Sequence, residues 1–118
     1  MIYINTIVHD SGDPQFGPTT LELGSGAACE KIERRLKLLY PDAQFHLSIV
    51  RGNLDVILVV YSGGARRGRV LEAARYYGYA DRDPLTKRIF VRPGPMILTK
   101  DGPVILANTS RIIVEHVA

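Results

Sequence analysis

A turn rich in glycine and arginine is the part of the sequence whose residue types come nearest to a binding chemistry. It runs from Gly63 to Arg69 and reads Gly-Gly-Ala-Arg-Arg-Gly-Arg. It follows an apolar strand pattern and precedes a helical one, so free helix amides, the positive end of the helix dipole and three guanidinium groups would meet there. The pattern predicts an anion-binding turn at Gly63 and Gly64, with a plain turn and solvated arginines as the alternative.

The turn does not match the two best-known phosphate motifs. It lacks the Gly-x-Gly-x-x-Gly pattern of dinucleotide-binding proteins and the Gly-Lys-Ser/Thr ending of a P-loop. A small hydrolase or transferase that holds phosphate at this turn is therefore only the third functional hypothesis.

Arginine and tyrosine side chains are predicted to share one face of the helix that follows the turn. A helical wheel of about 100° per residue collects on that face Arg69, Glu72, Arg75, Tyr76 and Tyr79. Cations interleaved with aromatic rings are typical of surfaces that hold single-stranded nucleic acid, and the same residue types are enriched in protein interfaces. We predict a surface that binds nucleic acid or a protein partner, made by Arg66, Arg67, Arg69, Arg75, Tyr76 and Tyr79; an ordinary exposed helix is the alternative.

No other residues have the spacing of a catalytic or metal site. His9, His46 and His116 are scattered, and we expect neither a metal nor a cofactor. The run His9-Asp10-Ser11 cannot form a catalytic triad, because adjacent loop residues do not line up a nucleophile, its base and the group that orients the base. Cys29 lies on an apolar helix face and is predicted to pack in the core. We therefore expect no catalytic residues and a non-enzymatic protein.

The composition indicates one domain, covering residues 1–118. The chain is 46% hydrophobic, enough to bury a core without a disulfide or a metal. Seven Pro and eleven Gly predict many turns between short elements. The net charge of +3 is compatible with an anionic partner.

The sequence shows no segment that would direct the chain into a membrane. The N-terminus has no signal-peptide pattern, and the longest apolar run, Val56 to Tyr61, is far shorter than the roughly 20 residues of a membrane span. We therefore expect a cytoplasmic protein without a membrane partner.

Hydrophobic periodicity predicts an α+β fold with two helices. The helices are expected at about Ala27–Tyr40, with Ser25 as the N-cap, and from the glycine turn to about Gly78. Strands are predicted at 2–8, 44–50 and 54–61, with a short edge strand at 19–23 inside a long loop, and four more at 88–92, 96–99, 104–107 and 111–117. We expect both helices to pack on one face of a mainly antiparallel sheet, a β-α-β-β-α core extended by C-terminal β-hairpins.

The order of these elements resembles the DinI family of small SOS-response proteins. The residues that carry the resemblance are Ile2-Tyr3-Ile4-Asn5-Thr6-Ile7, Arg34-Arg35, Tyr40-Pro41-Asp42, His46-Leu47-Ser48-Ile49, Asn53-Leu54-Asp55-Val56-Ile57 and Ala80-Asp81-Arg82-Asp83. They cover about residues 1–83, which leaves 84–118 as a β-rich C-terminal extension.

The resemblance implies a regulatory protein that binds the recombinase RecA and modulates its filament on DNA, without catalysis of its own. Members of the family carry an acidic ridge on the second helix, whereas this helix carries four arginines and only Glu72 as an acid. A basic helix attracts a phosphate backbone instead of imitating one. The leading hypothesis is a regulatory protein that acts on a nucleoprotein complex such as a recombinase filament, and the alternative is an accessory protein that binds DNA or RNA directly.

Overall fold

The computed structural model describes residues 19–117. The predicted strand at 2–8, and the predicted loop up to residue 18, lie outside the described residues. The helices are α1 (Ser25–Leu39) and α2 (Arg67–Ala74), and a 3₁₀ turn (Arg75–Tyr77) follows α2. The strands are β1 (Thr19–Leu23), β2 (Gln44–Val50), β3 (Val56–Ser62), β4 (Gly78–Arg82), β5 (Ile89–Pro93), β6 (Met96–Thr99), β7 (Gly102–Asn108) and β8 (Arg111–His116). The predicted α+β class is confirmed.

The strands form three sheets, where the sequence predicts one. Their orders are β1-β7-β6, β2-β3-β8 and β4-β5, and the pairs β1–β7 and β3–β8 are parallel. The chain leaves one sheet and enters another between β7 and β8. There, the buried side chain of Asn108 accepts a hydrogen bond from the Ser110 amide and donates one to the Gly78 carbonyl. These bonds stabilise a turn after which β8 pairs with β3. Strand β8 therefore does not form a hairpin with β7.

The C-terminal strands lie close to the predicted positions. Their ends differ from the prediction by only one or two residues. Strands β6 and β7 form the hairpin that the Asp101-Gly102 dipeptide predicts, and Gly102 has a φ of +112°, which a glycine adopts without strain.

The core lies between the two helices and alternate residues of β3 and β8. The helices contribute Ala28, Ile32, Leu36, Val70, Ala73 and Ala74, and the strands contribute Ile57, Val59, Tyr61, Ile112 and Val114. The residues of α1 in this set are four apart, which is the spacing of one helical face. Cys29 packs against this core and is half-buried, as predicted. Neither helix in residues 19–117 is long and apolar enough to cross a bilayer.

The predicted N-cap of the first helix is wrong, while the predicted end of the second is partly confirmed. Ser25 is the first residue of α1 and does not cap it; its hydroxyl donates to Asp55 across the molecule. The second α-helix ends at Ala74, but the 3₁₀ turn continues it to Tyr77, and Gly78, with a φ of +90°, caps that turn near the predicted end. A Cβ atom at Gly78 would lie 2.5 Å from the Arg92 carbonyl oxygen, so the close approach of β5 requires glycine here.

Truncation of a buried side chain of α1 tests the core. We expect Ile32→Ala to lower the free energy of unfolding by about 2 to 5 kcal/mol, since Ile32 has no exposed surface and its loss leaves a cavity. Leu38→Ala in the same helix is the control, because Leu38 is 81% exposed and its loss should cost less than about 0.5 kcal/mol. Urea unfolding followed by circular dichroism measures both. Equal losses of unfolding free energy in the two variants would contradict the proposed core.

Candidate functional site

Two side chains hold the glycine turn before α2 in place by hydrogen bonds to its backbone carbonyl groups. The Tyr61 hydroxyl donates to the Ala65 carbonyl over 2.7 Å, and His116 Nε2 lies 2.8 Å from the Gly63 carbonyl oxygen. Gly63 has a φ of +125°, and a Cβ there would come within 3.1 Å of Ala43. Its position in the fold therefore requires glycine, whether or not the turn binds an anion.

One of the predicted site residues has a structural role. The Arg67 Nε–H donates to the Val114 carbonyl of β8 over 2.8 Å, which fixes the start of α2 against the central sheet. Arg66 and Arg69, on either side of it, are exposed. Anion binding by Gly63 and Gly64 stays a prediction, and Arg67 is a poor choice of residue for testing it by substitution.

A groove between α1 and α2 brings two predicted residues together with one that was not predicted. The Arg35 guanidinium lies over the Tyr76 ring, 3.8 Å from its centroid, and Arg69 lies beside them. This interhelical groove has a volume of about 230 Å³ and is lined by Arg35, Leu39, Tyr40, Arg69, Glu72, Ala73 and Tyr76. Tyr76 is 45% exposed, so part of its ring is open to a ligand.

The other two predicted residues form a second stack at the base of β4. The Arg75 guanidinium lies over the Tyr79 ring at 4.0 Å. The helical wheel places Arg75 and Tyr79 on the same face as Arg69 and Tyr76, but α2 ends before Arg75 and the chain continues as a 3₁₀ turn and a strand. A spacing of 100° per residue therefore does not apply beyond Ala74, and the predicted single face becomes two arginine–tyrosine stacks.

The arginines of these two stacks are not neutralised by nearby acids. The ion pairs found among residues 19–117 are Lys37–Glu33, Arg51–Asp55 and Arg111–Asp81, and none includes Arg35, Arg69 or Arg75. The Nε atoms of Arg35 and Arg75 are buried and have no hydrogen-bond partner in the described part of the chain. Glu72 is the acidic residue that lines the interhelical groove. The arrangement concentrates positive charge beside aromatic rings.

A polar cluster at the start of α1 was not predicted. Asp55 Oδ2 accepts hydrogen bonds from the Ser25 hydroxyl at 3.0 Å and from Arg51 Nη1 at 3.1 Å, and Arg51 also donates to the Ser25 oxygen at 2.8 Å. The Gly52 amide donates to Asp55 Oδ1. The bond from Gly52, followed by those from Ser25 and Arg51, holds the pKa of Asp55 below its usual value. These bonds satisfy both carboxylate oxygens of Asp55 and tie the start of α1 to the turn between β2 and β3.

Cysteine and histidine show no sign of a reactive site in residues 19–117. Burial, and then the charges of Glu33 and Glu30, raise the pKa of the Cys29 thiol, which disfavours the reactive thiolate. His46 is exposed on β2 and His116 stacks on Tyr61, while His9 lies outside the described residues. No group of three potential metal ligands occurs within this part of the chain.

The comparisons with known proteins give no further assignment. Neither the protein-family models, the curated proteins nor the solved structures contain a match to this chain.

Acid titration tests the role of Asp55. Because its pKa is lower in the folded state, its contribution to stability is present above the ordinary carboxyl pKa and is lost as the pH falls through the folded value. We expect Asp55→Asn to be less stable than the natural protein at neutral pH, with the difference shrinking in acid. Urea unfolding at a series of pH values measures it, with Asp42→Asn, an exposed carboxylate, as the control. A difference that is independent of pH would contradict this role.

Proposed function

We propose that this chain is a non-enzymatic regulatory protein that acts on a nucleoprotein complex and contacts its nucleic acid through the arginines and tyrosines around α2. The observation that carries the proposal is the stacking of Arg35 on Tyr76 and of Arg75 on Tyr79, with no carboxylate of residues 19–117 paired to either arginine. A cytoplasmic location and a partner such as a RecA filament belong to the same proposal, through the resemblance to DinI.

The stacks support the proposal because they orient the guanidinium groups. A guanidinium that lies over a ring gains roughly 0.5 to 1 kcal/mol at an exposed site, and the nitrogens that the protein does not cover can still bind a phosphate or a base. Side chains that are already ordered lose less conformational entropy when a ligand binds. Backbone contacts of this kind depend on charge and not on sequence, as expected for a protein that follows a filament.

Direct binding of free nucleic acid is the second candidate function. It is favoured by the exposure of Tyr76 in the lining of the interhelical groove, since an exposed ring can stack on an unpaired base. The two candidates share one surface and differ in whether a protein component is needed for tight binding. A comparison of bare single-stranded DNA with a RecA filament on the same DNA separates them.

Removal of two groove arginines tests the shared surface. We expect Arg35→Gln with Arg69→Gln to weaken binding of labelled single-stranded DNA, whether bare or in a RecA filament. The slope of log K against log salt should flatten by about 1.4, because about 0.7 is lost for each phosphate contact on a single strand. Fluorescence anisotropy at several salt concentrations measures both quantities.

The matched control removes two cations elsewhere. Lys37→Gln with Lys100→Gln lowers the net charge by the same amount, and both lysines are exposed and lie outside the groove lining. Preferential binding to the filament would favour the regulatory role, and equal binding to bare DNA would favour the second candidate. The proposal is overturned if the natural protein binds neither form, or if the groove variant and the control behave alike.

A further inference from the structure

The hairpin of β4 and β5 carries an alternation of cations and an aromatic ring that the sequence analysis did not single out. Phe90 and Arg92 of β5 are two residues apart, so their side chains lie on one face of the strand, about 6.6 Å from each other. The Arg92 guanidinium lies over the Phe90 ring at 5.5 Å from its centroid. A second cation, Arg88, immediately precedes the strand.

These three residues line a concave surface of the hairpin. Its volume of about 850 Å³ exceeds that of the interhelical groove, and its lining includes Asp83, Pro84, Arg88, Phe90 and Arg92. Arg88 and Arg92 are exposed, Phe90 is half-buried, and all three contribute to the lining of the cavity.

The hairpin face adjoins one of the two arginine–tyrosine stacks. Tyr79 is the direct cross-strand neighbour of Arg92, and directly opposed residues of an antiparallel pair share a face. Arg75 lies on the Tyr79 ring. Cations and rings thus follow one another from the 3₁₀ turn to the hairpin: Arg75 on Tyr79, Arg92 opposite Tyr79, and Phe90 under Arg92, with Arg88 before the strand.

The acidic residues beside this series are already engaged. Asp81 pairs with Arg111 at 3.4 Å. Asp83 Oδ1 accepts hydrogen bonds from the Thr86 amide at 3.0 Å and the Leu85 amide at 2.7 Å. Within residues 19–117, Arg88 and Arg92 form no ion pair. Hydrogen bonds do not cancel the charge of Asp83, but Arg88 and Arg92 outnumber it, so the net charge of this face is positive, which fits an anionic ligand.

We propose that Arg88, Phe90 and Arg92 form a second contact for single-stranded nucleic acid, in which one base stacks on Phe90 and the two arginines bind phosphates on either side of it. A single strand fits better than a duplex, because only an unpaired base exposes its face to a ring. This inference rests on the proposed function, whose primary contact is the interhelical groove, and extends it to a longer binding track.

Binding to oligothymidylates of increasing length tests the track. The natural protein is expected to gain affinity as the strand is lengthened from about 4 to about 12 nucleotides, which lies within the roughly 4 to 16 nucleotides that known single-strand sites cover. Phe90→Leu keeps an apolar side chain in place and should lose roughly tenfold in affinity for the long strand, while Phe90→Tyr should retain it. Arg88→Gln with Arg92→Gln should flatten the salt slope for the long strand by about 1.4. The natural protein and all of these variants should bind the shortest strand with equal affinity.

The outcomes separate this inference from the function on which it rests. If the natural protein binds no strand, the proposed function fails. If it binds and the groove variant Arg35→Gln with Arg69→Gln loses affinity, but Phe90→Leu and the hairpin arginine variant do not, only the track is overturned. A loss of the same size in Lys37→Gln with Lys100→Gln would also overturn it, because the effect would then be one of net charge. Thermal melts confirm that each variant is folded.

Discussion

The parallel pairing of β8 with β3 is the interaction on which the rest of the structure depends. Strand β3 lies between β2 and β8, with Val56 opposite Arg111 and Tyr61 opposite His116. Hydrogen bonds extend the pairing at both ends, from the Arg111 amide to the Asp55 carbonyl and from the Val117 amide to the Tyr61 carbonyl. Because β8 follows every other described strand in the sequence, the central sheet joins residues 55 positions apart in the chain.

This pairing also fixes the position of the binding residues. Arg67 at the start of α2 donates to a carbonyl of β8, and His116 of β8 contacts both the Tyr61 ring and the glycine turn. With α2 held there, its end lies beside α1, and Arg35 of α1 reaches the Tyr76 ring. The stack is thus formed by residues 41 positions apart in the chain, and its geometry depends on the core and not on either helix alone.

The parts of the fold that the sequence predicts are those set by local pattern. The alternation in β2, the apolar run of β3 and the stripe of α1 each follow from neighbouring residues, and their predicted positions are close to the observed ones. The features that escape prediction involve distant partners. Asn108 with Gly78, Ser25 with Asp55 and Arg67 with Val114 are 30 to 47 residues apart, and no local spacing signals such a contact. For the same reason the arginines of α2 could be proposed from sequence, whereas Arg35 and the hairpin residue Phe90 could not.

The central claim is that the stacked arginines, and not arginine in general, contact nucleic acid. The most direct measurement is an NMR titration of isotopically labelled protein with single-stranded DNA that follows the arginine Nε–H signals. We expect the signals of Arg35 and Arg75 to shift progressively and saturate, while that of Arg67, which is hydrogen-bonded to the Val114 carbonyl, stays in place. Saturating shifts confined to Arg51 and its neighbours, or no shifts at all, would contradict this claim.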